Sequence, residues 1–102
     1  GEYTKALSLI DKYIGAVPND FTSHQQRAII LYYLKEYQSC IKEIDLSLTL
    51  KNNVGFLINL RGVCYYALND LTSACKDFES ASQLGIADGK TNYDRFCKEK
   101  LQ

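Results

Sequence analysis

Residues 61–81 read RGVCYYALNDLTSACKDFESA. Apolar side chains recur there at three- and four-residue spacing, the signature of an amphipathic helix. The pattern predicts one helix from Phe56 to Leu68, a turn at Asn69-Asp70, and a second helix from Leu71 to Leu84 that Gly85 ends. Gly62 sits inside the first of these helices, where glycine costs roughly 0.5–1 kcal/mol relative to alanine. A helix tolerates that cost where a neighbour must come close. The expected neighbour is the second helix, with Ala74 facing Gly62 and with Tyr65 and Phe78 filling the groove beside it.

Moving outward, the chain repeats itself every 34 residues. Arg27 falls on Arg61, Tyr32 on Tyr66, Leu34 on Leu68, Ser39 on Ser73, Lys42 on Lys76 and Leu50 on Leu84. Size classes are kept where identities are not, as with Ala28 and Gly62, Cys40 and Ala74, Ser47 and Ala81, or Ile44 and Phe78. A fixed period with preserved size classes marks stacked helical repeats. The earlier period also reads as two helices, from Thr22 to Leu34 and, after the turn at Lys35-Glu36-Tyr37, through Cys40, Ile41, Ile44, Leu48 and Leu50. Strand alternation is absent, so the expected class is all-α.

These residues resemble the tetratricopeptide repeat (TPR). Its 34-residue unit follows W-x2-L-G-x2-Y, then A-x3-F, a further Ala and a closing Pro. In 55–88 the matches are Gly62, Tyr65, Ala74, Phe78 and Ala81, with Ile58, Arg61 and Ile86 at the Trp, Leu and Pro positions. Residues 21–54 keep only the size classes, with His24 at the Trp position. Residues 1–20 match a second helix, with Ala6 and Ile10 in phase, Pro18 at the proline position and Tyr13 where a small residue is expected. Residues 89–102 are in phase for one more first helix, read as a cap, although Phe96 replaces its small residue. The resemblance implies a right-handed α-solenoid of antiparallel helix pairs, about six helices in one domain. Beginning on a second helix, the chain is expected to be a piece of a longer array or to pack there against something else.

Twelve basic and twelve acidic residues cancel, so charge gives no reason to expect a nucleic acid or an anionic membrane as partner. No apolar run reaches the roughly 18–20 residues of a membrane span. The expectation is a soluble domain, cytoplasmic by preference, with export left open. Cys40, Cys64, Cys75 and Cys97 contain no CxxC, and His24 is not spaced to complete a zinc finger with them. Buried free thiols are the first reading, and one disulfide from Cys75 to Cys97 is the alternative if the protein is exported. No catalytic constellation, phosphate loop or metal set is legible, so neither an enzyme nor a cofactor is expected. His24 is read as a structural histidine.

A second ladder shares the period. Arg27, Arg61 and Arg95 lie 34 residues apart, as do Asp11, Asp45 and Glu79, which suggests the ion pairs Asp11–Arg27, Asp45–Arg61 and Glu79–Arg95. The family resemblance implies partner binding on a concave face lined by first helices. By phase that face holds Thr22, Gln25, Ile29, Tyr32 and Tyr33, then Phe56, Asn59, Val63, Tyr66 and Ala67, with Lys90, Tyr93 and Lys100 from the cap. Such a face is aromatic and aliphatic with little charge, suited to a peptide or helix of a protein partner. Family members that clamp an acidic C-terminus use Lys and Asn where this chain has Gln25, Ile29 and Leu60, so that ligand is not expected. The alternative function is a structural segment of a longer array that self-associates end to end.

Overall fold

The computed structural model describes residues 1–98. Among them are six α-helices and no strand: α1 (Glu2–Ala16), α2 (Phe21–Tyr33), α3 (Tyr37–Leu50), α4 (Gly55–Ala67), α5 (Leu71–Gln83) and α6 (Ala87–Phe96). The limits of α2, α4 and α5 fall within a residue of the periodicity, whereas α1 ends at Ala16 and α6 runs from Ala87 to Phe96, against the expected 1–20 and 89–102. They divide into two compact units, α1–α3 in Gly1–Asn52 and α4–α6 from Asn53 onward.

Three helices stop in the same way. After α2, Lys35 takes the left-handed conformation (φ 60°), its N–H reaches the Tyr32 carbonyl and the Glu36 N–H reaches that of Leu31. Asn69 (φ 64°) and Asp70 repeat this after α4, and Gly85 (φ 88°) and Ile86 after α5. Each is a Schellman motif, which turns the chain sharply while satisfying the last carbonyls. Asp70 then caps α5 by accepting the Ser73 N–H at 3.1 Å. The turns are short, so α2 is laid back on α3 and α4 on α5.

In the first unit, Ala28, Cys40, Ile44 and Ser47 are fully buried. The Cys40 thiol donates to the Ala28 carbonyl at 3.1 Å, so the two small positions do meet. In the second unit a Cβ on Gly62 would stand 2.8–2.9 Å from the Phe78 ring and 3.1 Å from the Asp77 Cβ. Gly62 therefore makes room for an aromatic ring. In the first repeat Ile44 occupies the Phe78 position, and a smaller aliphatic group leaves space for the methyl of Ala28.

The reading of all four cysteines as free thiols is corrected for two of them. Cys40 and Cys64 are free and buried, but Cys75 and Cys97 form a disulfide, with Cα atoms 5.8 Å apart. The cause lies in α6. Gly89 has no Cβ, and one placed there would lie 2.9 Å from the Ser82 N and 3.1 Å from the Phe78 carbonyl oxygen. Backbone contact at that point lays α6 on α5, bringing Cys97 at its end to Cys75. Ala74, Cys75, Phe78 and Cys97 form a buried cluster, with Val63, Tyr65, Leu71, Tyr93 and Phe96 packed around it.

Candidate partner-binding faces

In the first unit a cluster of tyrosines gathers at the end of α2. The Tyr33 ring, 55% exposed, stacks on Tyr3 of α1 with centroids 5.1 Å apart. Tyr32 meets Tyr33 edge-on at 5.4 Å and Tyr37 of α3 at 6.2 Å. Tyr3 and Tyr37 were absent from the expected face, although they lie 34 residues apart and the period itself pairs them. Ile29 and Gln25 are half-buried one and two turns earlier on α2.

In the second unit Phe56 is 49% exposed at the start of α4 and Tyr66 is 39% exposed near its end. Tyr66 packs on Phe96 of α6 at 4.3 Å. Between them the Asn59 side-chain oxygen accepts a hydrogen bond from the Asn92 amide at 3.2 Å. Val63 and Tyr93 are half-buried against the disulfide cluster, so their first role is packing. Lys90 holds Asp94 at 2.8 Å, and this contact lowers the Asp94 pKa. Lys100 lies outside the described residues.

Beneath the first face sits an ionic core. His24 is 2% exposed, with Nδ1 against the Glu43 carboxylate and Nε2 2.6 Å from the Pro18 carbonyl oxygen. Both ring nitrogens face acceptors, so both donate when the ring is an imidazolium. Burial works against that charge. The hydrogen bonds to Glu43 and Pro18, together with the attraction of the Glu43 charge, outweigh burial and the opposing Arg27, and the pKa is raised. Arg27 also reaches Glu43 at 3.6 Å and Asp11 at 3.0 Å.

The ladder of ion pairs is thus partly as expected and partly corrected. Asp11–Arg27 forms. Glu79 and Arg95 do not pair; the Arg95 guanidinium lies over the Phe96 ring instead, 5.4 Å from its centre. The spacing that was missed runs the other way, from Arg27 and Arg61 to the acid sixteen residues later. Arg61 makes a two-pronged contact with Asp77, 2.8 Å on each arm, as Arg27 reaches Glu43. Glu43 and Asp77 lie 34 residues apart, which was the available signal.

No family model matches the sequence. Solved structures do resemble the chain. One is the first TPR of Spaghetti (RPAP3) bound to the HSP90 peptide SRMEEVD, with a TM-score of 0.85 and 22% identity over 94% of this chain and 78% of that one. The fold is that of the tetratricopeptide repeat. A second TPR-type neighbour, MamA MSR-1 C2, superposes with a TM-score of 0.77 and 22% identity over 85% of this chain and 50% of that one. By the 34-residue phase of the sequence, α2, α4 and α6 correspond to the expected first helices and α1, α3 and α5 to the expected second helices. Among the described residues no helix is long and apolar enough to cross a membrane, and no three His, Cys, Asp or Glu gather as metal ligands.

Proposed function

We propose that this TPR fold is a protein-interaction module without catalytic activity that binds a peptide segment or helix of a partner on its first-helix faces. The observation that carries the reading is the exposure of aromatic rings on those helices: Tyr33 on α2, and Phe56 and Tyr66 on α4. Burying a ring of this kind removes a large apolar area from water at low cost in rotamer entropy, which is why such residues dominate binding energies. In each unit a half-buried amide supplies hydrogen bonds that orient a backbone: Gln25 in the first, beside Ile29 and Tyr32, and Asn59 in the second, beside Val63 and Tyr93. A peptide held by the same fold in the Spaghetti (RPAP3) domain supports peptide binding here. The ligand differs in chemistry, because Gln25, Ile29 and Leu60 offer no cation for an acidic C-terminus. The zero formal charge argues equally against nucleic acid and anionic lipid.

Peptides selected from a random display library against the immobilised chain provide the test. Phe56→Ala is the most informative variant, since the ring is half exposed and its removal spares the core. The expected loss of affinity is about tenfold or more, the cost of truncating a hot-spot aromatic. Selected peptides that bind Phe56→Ala and Tyr33→Ala as tightly as the parent chain exclude these faces.

A further inference from the structure

Cys75 and Cys97 occupy positions that the repeat otherwise fills with aliphatic residues. One period earlier the two positions are Ile41 and Val63, and two periods earlier Leu7 and Ile29. Aliphatic side chains pack in any redox environment. A disulfide in their place fixes its neighbours only while it stays oxidised, and this one lies within the buried cluster of the second unit.

What the bond holds is α6. Its sequence, ADGKTNYDRF, is ten residues long and rich in weak helix formers: Asp88, Gly89, Thr91, Asn92 and Asp94. The helix is fixed at two places, by Gly89 in its first turn against the α5 backbone and by Cys97 just after its last residue. Between those anchors lie Asn92, Tyr93 and Phe96. Asn92 donates to the Asn59 side-chain oxygen at 3.2 Å, Phe96 packs on Tyr66 at 4.3 Å, and Tyr93 packs on the cluster. Asn59 and Tyr66 are thus oriented by α6, and Tyr93 is carried on it. With the bond open, two thiols smaller than the aliphatic pair of the earlier repeats remain, and one anchor is gone.

We propose that the Cys75–Cys97 bond is a redox gate on the partner face of the second unit, an inference that rests on the peptide-binding function above. Oxidised, the chain holds α6 beside α4 and presents Asn59, Tyr66 and Tyr93 together, preorganised for a peptide. Reduced, the last turns of α6 leave α5 and the three side chains no longer share a face. The co-reactant is a dithiol. One of its thiolates attacks a sulfur of the pair, and the Cys75–Cys97 bond breaks as a mixed disulfide forms. Its second thiolate then closes the reductant's own disulfide; the reductant loses two electrons and two protons, and each cysteine ends as a thiol. The tyrosine cluster of the first unit contains none of these elements and does not respond.

The test uses peptides selected from a display library against the oxidised chain, sorted by whether Phe56→Ala or Tyr33→Ala weakens them. Those that depend on Phe56 are expected to bind about tenfold more weakly once a dithiol has reduced the chain, because affinity scales with the fraction of chains whose face is assembled. Those that depend on Tyr33 alone keep their affinity. Amide exchange is expected to quicken in α6 while α4 and α5 stay protected, and Cys75→Ser/Cys97→Ser is expected to match the reduced chain with or without the dithiol. Equal affinity of the Phe56-dependent peptides for both forms overturns the gate and leaves the peptide-binding function standing. A dithiol response that survives in the serine variant moves the effect to Cys40 or Cys64, and loss of protection in α4 and α5 makes the bond a staple of the whole unit; either overturns the gate as well. If no selected peptide depends on Phe56, the second-unit face and its gate fall together.

Discussion

At Gly62 the absent side chain and the Phe78 ring occupy complementary space. Gly62→Leu would place four carbons where the ring lies within 3 Å of the first. The helix pair is then forced apart or the ring leaves its rotamer, at a cost of about 1–3 kcal/mol. Urea denaturation is expected to show that loss with an unchanged dependence on urea concentration; a midpoint equal to the parent's would contradict the contact. His24 makes a different kind of prediction. Its folded-state pKa lies above the ordinary 6.5, so the stability it contributes is complete below that pH. It is lost as pH rises through the folded-state pKa, because the unpaired chain gives up the proton more readily. The melting temperature of the parent chain is expected to fall over that window, and that of His24→Gln to fall less. Parallel profiles would show that the ring contributes no linked proton.

Helix α6 depends on the element beside it. It has ten residues, too few for an isolated helix to persist in water, and it is held by the Gly89 contact and the Cys75–Cys97 bond. Closing a loop of this length lowers the unfolded chain's entropy by an amount worth about 3 kcal/mol in stability. Cys75→Ser/Cys97→Ser is expected to lose stability of that order and to give faster amide exchange in α6 than in α2 or α3. Uniform exchange across all helices would contradict a local role. The helices and their turns were legible because one 34-residue phase carries both the apolar stripe and the turn residues. The disulfide was legible only as an alternative pairing of Cys75 with Cys97, because whether it forms depends on how closely α6 approaches α5. That distance is set by Gly89, whose match to Gly55 one period earlier carries no information about redox state.

For the molecule as a whole, each unit places an exposed aromatic group on a first helix, and the period foretold which helix. It did not foretell the company those groups keep. Tyr33 was expected on the face, but its stacking partner Tyr3 comes from α1, and Tyr37 joins from α3. Val63 and Tyr93 were assigned by phase to partner binding, and they also pack on the disulfide cluster, a contact that no spacing argument contains. The contacts of Arg27 with Glu43 and of Arg61 with Asp77 were hidden for a similar reason: two acidic ladders share the period, and spacing does not say that one arginine can reach both, as Arg27 reaches Asp11 and Glu43. The proposed binding of peptide by the first-helix faces is testable by amide chemical-shift mapping of the labelled chain, titrated with a library-selected peptide. Shifts are expected to concentrate on α2, α4 and α6, around Gln25, Tyr33, Phe56, Asn59 and Tyr66. Shifts confined to α3 and α5, with those residues unmoved at saturation, would contradict it.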